Sequence, residues 1–251
     1  MNKQGLLYCA RYSVAPNFYG YCGPDKNASL IDYLKEDKAD KEMAHIFSDF
    51  DTLIAYLKLI SFENKIEDPF DKKVVEAYWI GNQLLHNISN LNYLYLLKEE
   101  LNLVEKLDAK SFIKIKRKTM ALPFLPHHSF HVFNIFRRTG NNPSFHTLKT
   151  MDECRIGFGI IRHSRESGNP ANFLVETKPL VIENGKLKFG KPIIKKITID
   201  YKGKVFLKNL KIGDTISFHW GFVCEVLNNS QVKNLEYYTQ RSIEYFNVKL
   251  L

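Results

Sequence analysis

The chain reads as an α+β protein: a mostly helical domain over residues 1–150, then a small β-barrel over 151–251 that ends in a helix. Three observations predict this. Through the first half, apolar residues recur at three- and four-residue steps. From Cys154 onward, β-branched and aromatic residues alternate with polar ones. Between the two patterns lies Asn141-Asn142-Pro143, a turn-forming run. Hydrophobic residues make up 45% of the 251 positions and charged residues 25%, which excludes a disordered chain and leaves room for two ordinary domains.

Taken in order, Tyr8 to Asp25 is rich in aromatics, Gly and Pro and reads as an ordered but irregular loop. Asn27 is placed to cap a short helix through Leu34. A longer helix is expected from about Asp40 to Phe62, because Ala44, Phe47, Phe50, Leu53, Ile54, Leu57 and Ile60 share one face. Pro69 opens another near its first turn, with Val74, Val75, Tyr78, Trp79, Leu84 and Leu85 as apolar positions. Ser89 or Asn90 caps the next, through Leu91, Leu94, Leu97 and Leu101. Residues 111–120 form a basic amphipathic helix, punctuated afterwards by Pro123 and Pro126. The run from His127 to Gly140 reads as a helix with Arg137 and Arg138 at its C-terminal end, where the dipole favours cations.

In the second half, Asn184-Gly185 between apolar runs is a hairpin signal, since both residues reach positive φ cheaply. Further strands are expected at 193–200, 203–207, 214–219 and 221–227. Asn229 or Ser230 then caps a final helix carrying Val232, Leu235, Tyr238, Ile243 and Phe246. The segment from Arg162 to Pro170 has no periodicity and interrupts two strands. It resembles peptides translated from dispersed palindromic repeats in bacterial genomes, which makes it a surface insertion and sets His163 aside.

Charge divides the chain unevenly. Residues 1–110 carry 13 basic and 17 acidic groups, a net of −4, and the remainder carries 23 and 10, a net of +13. A basic half suits an acidic protein, nucleic acid or a membrane surface. No apolar run approaches the ~18 residues of a membrane span, and the start lacks a signal-peptide core. The chain therefore reads as cytoplasmic, with no membrane association. Its cysteines, Cys9, Cys22, Cys154 and Cys224, are expected to be thiols, and none sits in a CxxC pair.

Several side chains have metal-ligating chemistry. His127 and His131 lie four apart and would share one face of a helix, so they could hold one metal between two imidazoles; His128 would join only by rotating round that helix. No carboxylate lies in the run, which excludes an HExxH protease site. Cys9 and Cys22 flank the aromatic loop as two buried thiols. Arg137, Arg138 and the Lys114–Lys118 run read as a solvated basic face, with no RNA-binding motif beside them. There is no phosphate-binding glycine loop and no Ser–His–Asp arrangement with usable spacing.

The segment Gly213-Asp214-Thr215-Ile216-Ser217-Phe218-His219-Trp220-Gly221-Phe222-Val223 resembles the HypC/HupF family of hydrogenase-maturation chaperones, which has a Gly-Asp turn, a strand ending in His, then Gly-Phe. Cys154 to Ile161 resembles that family's opening Cys, glycine turn and first strand. The whole chain, including Gly20 to Asp25, Glu76 to Asn82 and the 127–131 run, is also similar to an uncharacterised prokaryotic family of this length. The HypC resemblance implies an OB-like barrel and an accessory protein in nickel–iron hydrogenase assembly, more an iron-handling chaperone than an enzyme. It makes Cys154 the thiolate ligand of a transient iron cargo and His219 its neighbour. Gly213, Asp214, Gly221 and Phe222 become the docking residues for a HypD-like scaffold or a hydrogenase large subunit. Two alternatives stay open: a metal-dependent enzyme using His127 and His131, and a nucleic-acid-binding module using the basic half.

Overall fold

The computed structural model of the protein describes residues 2–24, 27–135, 146–164 and 171–249. It is a mixed α+β structure, helical in its N-terminal part, with the sheet and a final helix in the C-terminal part. No helix among the described residues is long and apolar enough to cross a membrane.

The first helix, α1, spans Lys3–Phe18, where an irregular loop is expected. Asn2 caps it, its side chain accepting the Gly5 N–H at 2.9 Å, and Pro16 sits in the last turn. Leu6, Cys9, Ala10, Tyr12, Val14 and Ala15 are all buried, and only Lys3 and Gln4 at its start are exposed, so little amphipathic period betrays the helix. α2 spans Asn27–Glu36. The single helix expected from Asp40 to Phe62 is two: α3, Lys41–Ser48, and α4, Asp51–Glu63. The break is a tight turn in which Asp49 and Phe50 donate to the Ile46 and Phe47 carbonyls. Both pieces bury their apolar faces in one core, so the periodicity runs unbroken across it.

Asp71 rather than Pro69 opens α5, Lys72–Trp79; Leu84 and Leu85 fall in a separate 3₁₀ turn, Gln83–Asn87. Ser89 caps α6, Asn90–Tyr95, which widens into a π turn over Leu96–Glu100. α7 (Leu103–Lys106) leads to the basic amphipathic helix α8, Ala109–Ala121. The helix expected from His127 is a short α9, His128–Phe130, followed by a π turn, His131–Ile135. The expected continuation with Arg137 and Arg138, and the boundary at Asn141-Asn142-Pro143, lie outside the described residues.

A further helix that the alternation hides, α10, spans Leu148–Cys154 and is closed at its start by a Thr147–Thr150 capping box. Cys154 therefore ends a helix rather than preceding a glycine turn. Strand β1, Gly157–Ser164, follows after two intervening residues. Its glycines answer close packing. A Cβ on Gly157 would strike the Phe218 ring, and one on Gly159 the Glu176 carbonyl. β1 pairs antiparallel with β2 (Asn172–Thr177), up to His163↔Leu174 and Ser164↔Phe173, while Arg165 to Pro170 lie outside the described residues. β2 pairs with β5 (Ile193–Thr198), and β6 (Thr215–His219) with both β1 and β7 (Phe222–Val226). A parallel contact of Thr198 with Phe222 completes the order β1-β2-β5-β7-β6, and the sheet closes on itself.

The hairpin at Asn184-Gly185 forms as expected, with φ of 52° and 72°, between β3 (Leu180–Glu183) and β4 (Lys186–Phe189), apart from the closed sheet. Residues 203–207 form no strand; an isolated Tyr201–Lys204 bridge stands there, and the Lys204 amine reaches Asp32 on α2 at 2.6 Å. Asn228, one residue before the expected cap, starts α11, Asn229–Asn247.

Ile161, Phe173, Val175, Ile197, Ile216, Phe218 and Val223 fill the closed sheet. The largest apolar cluster instead joins the two halves: Ile156, Tyr201, Phe222, Cys224, Leu227 and Leu235 pack with the helices of the first half. At its centre, α1 lies against β6 and β7. Tyr8 and Tyr12 both donate to the buried Glu225 carboxylate, Tyr8 at 2.7 Å, and the Tyr12 hydroxyl also meets Ser217 at 3.1 Å.

Candidate metal centre

The sequence places His219 at the end of β6, where Trp220 and Gly221 make a two-residue turn with φ of 50° and 78°. That turn is held against the end of α10. The Trp220 N–H donates to the Glu153 carbonyl at 3.0 Å, and the Glu153 carboxylate pairs with Lys195 at 2.8 Å. On the other side of Cys154, buried Arg155 pairs with Asp152 at 2.8 Å and donates to the Lys178 carbonyl at 2.7 Å. Asp152 in turn accepts the Leu180 N–H at 2.9 Å. Cys154 is thus fixed on both sides beside a histidine 65 positions later in the chain.

Their ligand atoms meet. The Cys154 sulfur and ring nitrogens of His128 and His219 all lie within 4.8 Å of one another, and all three residues are buried. The structure thereby brings together Cys154 and His219, and adds His128. His127 and His131 are not in the group. The backbone at His127 is extended, with φ −75° and ψ 159°, so it precedes the helix and the i, i+4 geometry does not arise. Both of its ring nitrogens are engaged, one at 3.0 Å from the Trp79 carbonyl and one accepting the Ser129 N–H at 3.2 Å. His131 bonds the Tyr56 hydroxyl at 3.0 Å and lines the same cavity farther along.

The two imidazoles of the centre differ in readiness. His219 Nδ1 donates to the Tyr12 carbonyl at 2.7 Å, which fixes the tautomer and leaves Nε2 as a bare acceptor. Nε2 is fully buried and has no hydrogen-bond partner. A buried polar atom left unpaired is costly, and a cation is the natural complement of this lone pair. His128 is engaged twice: Nε2 donates to the Cys154 carbonyl at 2.7 Å, and Nδ1 accepts from the Tyr78 hydroxyl at 3.1 Å. It joins a metal only by giving up one of these. Trp79 packs against both, with ring centroids 4.6 Å from His128 and 5.8 Å from His219, and stacks on Tyr12 at 5.6 Å.

Burial drives both imidazoles toward the neutral form. It pushes His219 down to about 4, opposed by the hydrogen bond to the Tyr12 carbonyl and next by the nearby Cys154 carbonyl, which makes no full hydrogen bond to the ring. It pushes His128 well below its ordinary value, aided by the nearby His219. Neutral imidazoles need lose no proton to bind a metal.

The centre opens on a cavity of about 340 Å³. Cys22, His131 and His146 lie along its wall, and its rim includes the exposed Asp49 and Asp51. Cys154 thus has a route outward. Cys9 is buried within α1, its sulfur 3.9 Å from the Ser13 hydroxyl, and no disulfide joins any of the four cysteines.

The four residues expected to dock a partner, Gly213, Asp214, Gly221 and Phe222, fall at two ends of β6. Gly213 and Asp214 form the turn before it, where Asp214 accepts the Lys211 N–H at 2.8 Å. Gly221 lies in the turn after it, and Phe222 is buried, stacked on Tyr201 at 4.0 Å. Sequence reasoning missed the part played by His128 and Trp79. Tyr78-Trp79 ends 48 positions before His127, so only the fold brings the pair to the histidines.

A family model described as a family of unknown function, DUF6390, matches residues 1–251. The chain belongs to that family. No curated protein and no solved structure matches it.

Proposed function

We propose that this DUF6390 member binds a thiophilic transition-metal ion through Cys154 and His219, with His128 as third donor, and serves as an accessory protein in metallocentre assembly. One observation carries the reading: the Cys154 thiol and the unpaired His219 Nε2, from distant parts of the chain, meet on the wall of a cavity that reaches the surface. A sulfur and two imidazoles suit iron, zinc or copper rather than calcium or magnesium. Three protein donors leave a coordination position for an incoming or departing group. The hydrogenase part of the reading rests on the 213–223 motif, and the small closed sheet with α1 packed against β6 and β7 supports docking of the HypC kind. In this role Cys154 takes and releases the ion as thiolate, His219 supplies the second bond, and the Tyr12 carbonyl holds the His219 ring.

The test is anaerobic purification with elemental analysis, followed by pull-down with a HypD-like scaffold. Stoichiometric metal lost in Cys154→Ser, together with scaffold capture, is the expected result. Metal absent from the wild-type protein ends the metal reading, and metal without scaffold capture ends the hydrogenase part.

A metal-dependent enzyme is the second reading, favoured by cavity space beyond what a single ion fills. Its discriminating measurement is transfer: an accessory protein yields its metal to an acceptor, and an enzyme retains it through turnover.

A further inference from the structure

A second cavity, of about 300 Å³, lies between α8, the His131–Ile135 turn and the end of α11, and shares no lining residue with the metal cavity. Its walls are largely apolar: Ile115, Phe130, Phe133 and Phe246. On one wall stands the Lys118 amine, half-buried, 4.5 Å above the Tyr245 ring and 3.3 Å from the Phe246 carbonyl. Lys114, one turn earlier on the same helix, stands exposed at the rim. Among the described residues neither lysine pairs with a carboxylate.

An ammonium in that position is poorly supplied. It can donate three hydrogen bonds, and a single carbonyl accepts one. Burial lowers its pKa to about 8, with no opposing charge to raise it. Lysines covering a helix face normally keep the amine in water. Here the amine is half-withdrawn into a largely apolar pocket, whose lining also includes Ser111, Thr119 and Asn134. At about 30 Å³ per heavy atom in a packed liquid, the cavity holds on the order of ten non-hydrogen atoms.

We propose that this pocket binds a medium-chain aliphatic carboxylate, its head on the Lys118 ammonium and its chain among Ile115, Phe130 and Phe133. The site stands apart from the metal reading and rests on separate residues. The carboxylate supplies the missing charge and the acceptors. The aromatic walls remove the chain from water. Lys114 draws the anion in from the rim.

The probe is octanoate, with 1-octanol as its uncharged counterpart, titrated calorimetrically into the full chain at pH 7. Saturable binding of one octanoate, at least tenfold tighter than octanol, is expected. Lys118→Met should reduce octanoate affinity at least tenfold and leave octanol unchanged, and Lys118→Arg should recover most of it. Octanoate affinity should also fall between pH 7 and pH 10 as the ammonium is lost, a readout in the wild-type protein that needs no variant to fold. Octanoate binding that matches octanol, is indifferent to pH, or survives Lys118→Met overturns the proposal, as does no binding at all.

Discussion

Acid should unfold the metal-free protein steeply, because its histidines are buried in the neutral form. Burial pushes His127 and His131 down to about 3 and His219 to about 4, against an ordinary value of 6.5. Between pH 6.5 and those values, the unfolded chain binds protons at all three rings and the folded chain does not. Stability therefore rises with pH through that window and is lost as pH falls through it. Each ring contributes about 1.36 kcal/mol per pH unit, so at pH 5 each has withdrawn about 2 kcal/mol and the three together about 6. Total stabilities run to about 5–15 kcal/mol, so this is a large share. His128 adds in the same direction. The assay is urea unfolding at pH 7, 6, 5.5 and 5 in the presence of a chelator. Near pH 5 the unfolding free energy should fall by about 4 kcal/mol per pH unit, equivalent to uptake of three protons. A slope near zero across pH 5–6 would refute the burial of these rings.

Other expectations follow from the packing. Tyr12→Phe removes a donor from the buried Glu225 carboxylate and should cost about 1–3 kcal/mol in urea unfolding, while Phe replaces the ring stacked on Trp79 without loss. Gly159→Ala drives a methyl into the Glu176 carbonyl, prying β1 from β2, and should cost about 1–3 kcal/mol by the same measurement. Gly185→Ala, at a positive φ with open space around it, should cost only about 1 kcal/mol, since the strain is conformational and not steric.

Local chemistry made some elements legible. Asn184-Gly185 states its turn in two residues, and the 111–120 helix shows one polar and one apolar face. The 213–223 motif placed His219 at a strand end and led to Cys154, because residue type and order survive without knowledge of packing. What failed was anything set by burial on all sides. α1 carries Gly5, Pro16 and three aromatic rings and is buried over most of its length, so its helical period is invisible. α10 is seven residues long and is held by Asp152 and Arg155, whose partners lie far along the chain. The histidine run misled for a backbone reason. Helical spacing pairs His127 with His131, but His127 is extended and a π turn begins at His131, so the intervening His128 reaches the centre.

Cobalt(II) titration of the anaerobic metal-free protein tests the central claim most directly. The account predicts one tightly bound ion with a sulfur-to-cobalt charge-transfer band, abolished in Cys154→Ser, strongly weakened in His219→Ala and retained in His127→Gln. A band that persists without Cys154, or an ion bound equally well without His219, would contradict it.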